Sequence, residues 1–435
     1  MTGISLPRAI HLDLMQIQSS PYASANRDRN GSPKTAVYGG VLRGRESAQH
    51  QKYHQRDIVQ DMLGVKAFRT RATTLTATEQ LTGRGWDRAE ALTAVQMLLL
   101  STQVKGLGIA DNGGTNVLLF LPETAITELV ELVDRNRDAF APFIAQAHAD
   151  LDKEAKKKAT ASQKAKTATE TADTEPTPED DGEAEDKNRT AILTAQAKKI
   201  IDKKDGFLTK DDVLSLLRSR NAIVAAYGRM LANEPGSIVE AAIQTAHALS
   251  THAITTQIDS FTAVDDMLKE LGEESGAGHL GEQRYNSATL FKYSTLNITK
   301  LTGNLDGDHA TVRDVTEAFL RAASAHRNVG KVSGTAPHTL PHLLYAAVRT
   351  DRPVNLAGAF EEPVAATAAG GYLAASMGRL DAHAGAHHRF LGLDRLAGHT
   401  HVTLSDQEFT HLGERAGSLD EFVAATLAVI DKALG

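Results

Sequence analysis

Residues 26–56 read NRDRNGSPKTAVYGGVLRGRESAQHQKYHQR, and the interpretation of the whole chain turns on them. Gly31, Pro33, Gly39 and Gly40 punctuate the first half as a loop, since glycine supplies positive φ and proline a fixed one. Ser47 can then cap a helix by accepting from its first free amides. Beyond the cap, Gln49, Lys52 and Arg56 fall at i, i+3 and i+7, which sets an amide, an ammonium and a guanidinium on one helical face. Ile58, Val59, Met62 and Leu63 supply apolar contacts further along. With Arg43 and Arg45 ahead of it, this helix is a track for phosphates, and nothing in it needs to read base edges. Taken alone, Lys52 and Arg56 are better explained by a solvated helix face.

Outward from this stretch, the pattern alternates between sheet and helix. Ile10, Leu12 and Leu14 alternate with His11, Asp13 and Met15 as in a half-buried strand. Residues 221–230 (small, apolar and β-branched at intervals), 288–298 and 342–349 also have the character of sheet segments, and Val312 to Ala325 that of a helix between strands. Together they predict an α+β domain interrupted by insertions. The largest insertion is helical, with Leu92, Val95, Leu98 and Leu99 in register, one short strand at 117–121, and further helices at 192–201 and 210–217. Within it, residues 152–190 carry a Lys-rich half, an acidic half and no large apolar side chain. Such a segment cannot bury enough apolar area to offset its conformational entropy, which predicts disorder.

Composition narrows the functional classes. The chain has 435 residues, no cysteine and a formal net charge of −7. Thiol nucleophiles, disulfides and thiolate zinc sites are thereby excluded. The acidity is local: nine acids and one lysine lie between Glu170 and Lys187, whereas residues 1–60 carry +4. A negative total is therefore compatible with nucleic-acid binding by the N-terminal segment. No uninterrupted apolar run reaches the ~18 residues of a membrane span, and the N-terminus lacks a secretory core, so the expected location is the cytoplasm, without a membrane partner.

The segment resembles the signature of the CasC family, the repeated backbone subunit of the type I-E CRISPR Cascade complex. Matching positions are Asn26, Arg27, Asp28, Lys34, Gly39, Gly40, Arg43, Arg45, Ser47, Gln49, Lys52 and Arg56; the departures are Glu46, Ala48 and Tyr53. Further stretches agree in order: YGRM at 227–230, AHALSTHAITTQIDSFTAVDD at 246–266, GHLGEQRYNSATLFKY from Gly278, HRNVGKVSGTAP from His326 and RPVNLAGAFEEPV from Arg352.

The resemblance implies an RNA-recognition-motif (ferredoxin-like) palm, helical fingers and a β-hairpin thumb. The palm would use 1–65, 220–250 and, with C-terminal helices, 285–435; the fingers 66–219; the thumb 251–284. It implies a non-catalytic subunit that coats crRNA with further copies of itself, joins other Cascade subunits and kinks the guide so that it pairs with target DNA. Guide-RNA contacts would be Asn26, Arg27, Lys34, Arg43, Arg45, Ser47, Gln49, Lys52, Arg56, Arg229, Met230 and Lys331, with Phe261 and Thr262 as the wedge and Ser260 where relatives can carry an aromatic residue. Lys198, Lys199, Lys203 and Lys204 would touch target DNA. The resemblance also implies an extended segment over 241–253, which propensity alone would make a helix.

Rival chemistry is poorly supported. Lys331 in GKVSG fails the phosphate-loop pattern, because Ala325 and Val332 stand where Gly and Ser or Thr belong. His383, His387, His388, His399 and His401 lack an H-E-x-x-H carboxylate and are expected to form a solvated face, with no metal or other cofactor. Asp28 is the one acid with a catalytic rival reading, a metal-dependent ribonuclease; loop ordering is the preferred reading.

Overall fold

The computed structural model describes residues 9–168, 179–202, 206–231, 233–263, 279–325 and 330–435. They form two compact units, Met1–Gly64 with Ala241–Gly435, and Val65–Glu240.

The first unit opens with β1 (His11–Ala23), a hairpin of β2 (Thr35–Tyr38) and β3 (Val41–Glu46), and helix α1 (Ala48–Leu63). Ser47 caps α1 by accepting from the His50 amide at 3.3 Å, and Gly64 ends it in the left-handed region at φ 64°.

The second unit follows: β4 (Ala67–Thr70), α2 (Thr73–Gly83), α3 (Arg88–Ser101), β5 (Leu119–Pro122), α4 (Glu123–Arg135), α5 (Arg137–Ala168), α6 (Glu179–Ile200), α7 (Lys210–Arg218) and α8 (Ala222–Tyr227). Its core surrounds α3, whose residues from Ala94 to Ser101 are all buried, with Trp86, Leu129, Phe140, Leu193 and Leu217 packed about them. Two expectations are corrected here. Residues 221–230 are not a strand: α8 is capped by Asn221, which accepts from the Ile223 and Val224 amides, and its alanines favour helix. It falls within this unit, which ends at Glu240. Where 152–190 was expected to be disordered, α5 runs to Ala168 and α6 starts at Glu179, while 169–178 lie outside the described residues. Ala, Lys, Glu and Gln are strong helix formers, so helix here does not need a buried face along its full length.

The chain then returns to the first unit with β6 (Ile243–Thr245), β7 (Ala248–Ser250), β8 (Gln257–Ala263), β9 (His279–Asn297), α9 (Ile298–Asn304), α10 (His309–Ala325), α11 (Val332–Thr335), β10 (Pro341–Arg349), α12 (Leu373–Leu391), β11 (Leu396–Thr403), β12 (Glu414–Arg415) and α13 (Leu419–Leu434). The sheet runs β12–β11–β10–β1–β9–β7–β3–β2, with β6 and β8 also on β9. β1 lies between antiparallel β10 and β9, so it is buried on both faces from His11 to Gln18 rather than half-buried. One face packs Met15, Ile17, Phe291, Tyr293 and Tyr345 against Leu356, Phe360, Met377 and Leu380. On the other side of the strands, Leu12, Leu14 and Leu296 are fully buried, while α10 packs against α1 and α13. α10 buries Val312, Val315, Thr316, Phe319, Leu320 and Ala323, the i, i+3, i+4, i+7 stripe of an amphipathic helix. Val312, Val315, Phe319 and Leu320 each contribute roughly 1.5–3 kcal/mol by leaving water.

Residues 243–245 and 248–250 are extended, because pairing with β9 outweighs their alanine-rich helix propensity. β8 pairs with the first part of β9 from Gln257↔Tyr285 to Ala263↔His279, an exposed two-stranded ribbon. Among the described residues, no helix is long and apolar enough to cross a membrane.

Candidate nucleic-acid interface

The chain leaves β1 into a tight turn. Asp28 Oδ1 accepts from the amides of Asn30 and Ser32, both at 2.9 Å, and the Asp28 amide donates to the Ser32 carbonyl at 2.8 Å. That carboxylate orders the loop. Asn26 joins the turn to α1: its Oδ1 accepts from the Ser47 amide at 3.0 Å and its carbonyl from the Lys34 amide at 2.7 Å. The Lys34 carbonyl in turn accepts from the Arg45 amide at 3.0 Å. His247 Nδ1 accepts from the Ala48 amide at 2.9 Å, so another first-turn donor is satisfied.

A second loop reaches the same corner. A Cβ on Gly330 would lie 2.0 Å from the Ser24 carbonyl oxygen and 2.7 Å from that of Ala25, so only glycine allows this approach. Lys331 follows at φ 54°, just before α11. Asn26, Arg27, Lys34, Arg45, Ser47, Gln49 and Lys331 are thereby gathered about the start of α1. Arg27 and Gln49 are exposed; Lys34, Arg45 and Lys331 are half-buried.

Other expected contacts are engaged elsewhere. Arg43 is 0% exposed, and its guanidinium donates to the carbonyls of Tyr38, Ser250, Phe360 and Glu361 at 2.9–3.1 Å. It fastens the hairpin to the sheet and is removed from the phosphate track. Lys52 Nζ donates to the Ile243 carbonyl at 3.0 Å, and the Arg56 guanidinium sits 5.3 Å from the Tyr53 ring centre and 3.5 Å from Asp57. The continuous ridge expected along α1 is therefore reduced to its first turn.

In the second unit Arg229 is a scaffold residue, 5% exposed and donating to the carbonyls of Ser237 and Ser219, both at 2.7 Å; burial lowers its pKa to about 10. Met230 beside it is 82% exposed. Lys198 and Lys199 are exposed on α6, Lys199 donating to Gln196 Oε1 at 3.1 Å; Lys203 and Lys204 lie outside the described residues. On the first unit's ribbon, Phe261 lays its ring over Gly281, where a Cβ would come within 2.5 Å, and Thr262 is exposed opposite Leu280.

Sequence reasoning missed a buried polar layer beside this corner. Lys292 Nζ and Glu46 Oε2 are 2.8 Å apart, with side chains 6% and 5% exposed, so Glu46 faces the interior and its charge is matched. The available signal was Lys292 itself, sharing a strand face with Leu290 and Leu296. Gln16 Oε1, Gln18 Oε1, Ser24 Oγ and Arg45 Nε are buried without a hydrogen-bond partner among the described residues. Burial pushes the His50 pKa down to about 4 against the opposing charge of Glu46. The histidine-rich segment is no solvated face: His401 is 3% exposed, and half-buried His383 and His387 place their Nε2 atoms 3.2 Å apart. Among the described residues no three potential metal ligands converge.

Comparison with known proteins gives this geometry a context. A chain of a structure described as "CRISPR RNA-guided surveillance complex, pre-nicking" superposes with a TM-score of 0.73 and 31% identity, over 96% of this chain and 100% of that one. A chain of a second, "CRISPR RNA-guided surveillance complex", gives 0.65 and 27% over 96% and 99%. A search of curated proteins finds no match. Residues 12–425 match the family model described as CT1975-like protein, and the chain belongs to that family.

Proposed function

We propose that this protein is a non-catalytic guide-RNA-binding subunit of a type I-E CRISPR surveillance complex. Several copies line one crRNA in the cytoplasm, in company with other Cascade subunits. The sheet of the first unit acts as an RNA-recognition-motif palm, the second unit as fingers whose Lys198 and Lys199 approach target DNA, and the β8–β9 ribbon as a thumb. Phe261 and Thr262 on that ribbon take the place of a lost stacking partner and kink the guide, leaving the bases between kinks to pair with DNA. Met230, exposed on the second unit, offers an apolar contact to bases.

The observation that carries the reading is the gathering of Asn26, Arg45, Ser47, Gln49 and the Lys331 loop about one helix start. Guanidinium and ammonium groups beside a helix N-terminus make an anion site suited to phosphate. The buried Arg45 Nε, a donor without an acceptor among the described residues, fits the same role. The ribonuclease alternative is the weaker reading, since the Asp28 Oδ1 is engaged by two amides of its own turn.

Titrating labelled single-stranded RNA at several salt concentrations tests this. Arg45→Ala and Lys331→Ala should each weaken binding and flatten the slope of log K against log salt by about 0.7, one phosphate contact on a single strand. Slopes equal to wild type for both variants would remove the corner from the RNA path.

A further inference from the structure

Tyr22, near the end of β1, lies on Tyr285 of β9 with ring centroids 4.6 Å apart and planes 27° from parallel. Tyr285 is 8% exposed and Tyr22 is 39% exposed, so the lower ring is fixed in the protein while the upper one meets solvent. The β1–β9 register breaks between Ser20 and Ala23, which frees Tyr22 from the ladder. A single exposed tyrosine would mean nothing. This one is held flat on a buried partner; Asp259 is the charged group that acts on it directly, and the cationic groups lie in the turn that follows along the chain. Arg284 NH1 donates to Ser32 Oγ at 3.2 Å, which ties the strand next to Tyr285 to the turn bearing exposed Arg27 and Arg29.

An aromatic face with guanidinium groups around it is what holds single-stranded nucleic acid without base choice: the ring takes a base, the cations take the flanking phosphates. We propose that the Tyr22–Tyr285 pair is a stacking platform for one unpaired base of a single-stranded RNA, with exposed Arg27 and Arg29 of the adjoining turn engaging a flanking phosphate. This rests on the RNA-binding reading above and adds a base contact that none of the residues about α1 supplies. The pair stands at the foot of the β8–β9 ribbon, where a base displaced from its neighbours needs a new stacking partner. A second copy of the chain is the other occupant such a face could take, and the experiment separates the two.

Full-length protein freed of nucleic acid is titrated into two fluorescein-labelled RNAs of equal length and equal salt, one of mixed sequence and one abasic through its middle. Wild type should prefer the base-bearing RNA. Tyr22→Ala should weaken that complex roughly 5- to 100-fold, leave the abasic complex and the salt slope unchanged, and so abolish the preference. Tyr22→Phe should behave as wild type. Tyr22→Trp, which keeps a ring on Tyr285, should tighten base-bearing RNA, an effect that misfolding cannot imitate. The platform is overturned if Tyr22→Ala keeps the full preference for bases, including the case in which it only lowers self-association. Wild type that binds neither RNA sinks the RNA-binding reading itself, a result distinct from failure of the platform alone.

Discussion

Replacing Lys292 with methionine isolates the energetics of the buried layer beneath α1. The ammonium and the Glu46 carboxylate are 2.8 Å apart, and both side chains are at most 6% exposed. Lys292→Met keeps most of the side-chain volume but leaves the carboxylate in a site with little water to solvate it. Removing one partner of such a pair costs about 3–5 kcal/mol, because the remaining charge is uncompensated. For a unit of this size each kcal/mol moves the melting temperature by about 2–4 °C, so a fall of roughly 6–20 °C is expected. The double variant Lys292→Met/Glu46→Leu removes both charges and should recover most of the loss, since well-packed apolar replacements of buried pairs are often neutral. Circular dichroism melts of wild type, both single variants and the double variant form a cycle whose coupling term should exceed ~2 kcal/mol. A Lys292→Met shift under ~2 °C, or a double variant no more stable than the single, would refute the claim that the pair is a matched buried unit.

Arg43→Lys keeps the charge but cannot reach all four carbonyls that the guanidinium now serves. It should cost at least ~3 kcal/mol in urea unfolding while the RNA salt slope stays at wild type; a flattened slope with unchanged stability would return Arg43 to the RNA face. Gly330→Ala forces a Cβ to 2.0 Å from the Ser24 carbonyl, so the loop must move; gel-shift affinity for RNA should fall about as far as in Lys331→Ala, and wild-type affinity would contradict the corner geometry. Acid should destabilise the fold. His50 and His399 are pushed by burial to about 4. The unfolded chain therefore binds more protons between about 4 and ~6.5, and their contribution is complete above that range and lost as pH falls through it. Asp13, raised by burial to about 6, works in the opposite direction between 3.8 and that value and subtracts from the effect. The urea midpoint should drop from pH 7.5 to pH 5, and less so in His50→Gln; an equal or higher midpoint at pH 5 would contradict this.

Periodicity revealed the elements whose partners are local or whose pattern is long: α10, β10 and the later part of β9, expected over 288–298 and ending at Asn297, all stand close to where alternation or the 3.6-residue stripe puts them. Motif reading found the Ser47 cap, since a cap, a turn and their spacing are local in sequence. It did not reveal the partners of Arg43 and Lys52, because residue type says nothing about which carbonyls lie opposite. Those acceptors, at Ser250, Phe360 and Ile243, come from strands and loops about 190 to 320 residues away. The same distance hid the Glu46–Lys292 pair, so that Glu46 stood only as a departure from the signature. α8 was misread because small and β-branched residues serve a buried helix as well as a strand, and only the Asn221 cap distinguishes them. Tyr22 gave no signal at all: its partner is across the sheet, and the register break that exposes it is invisible in one strand's sequence.

Whether this chain holds guide RNA is decided by sequencing the RNA retained by the protein after purification from cells that carry a CRISPR array. RNAs of narrow length distribution that join repeat to spacer are expected, and should be lost from an Arg45→Ala/Lys331→Ala double variant. A protein that carries no RNA, or a broad sample of cellular transcripts without enrichment for array sequences, would contradict guide-RNA binding.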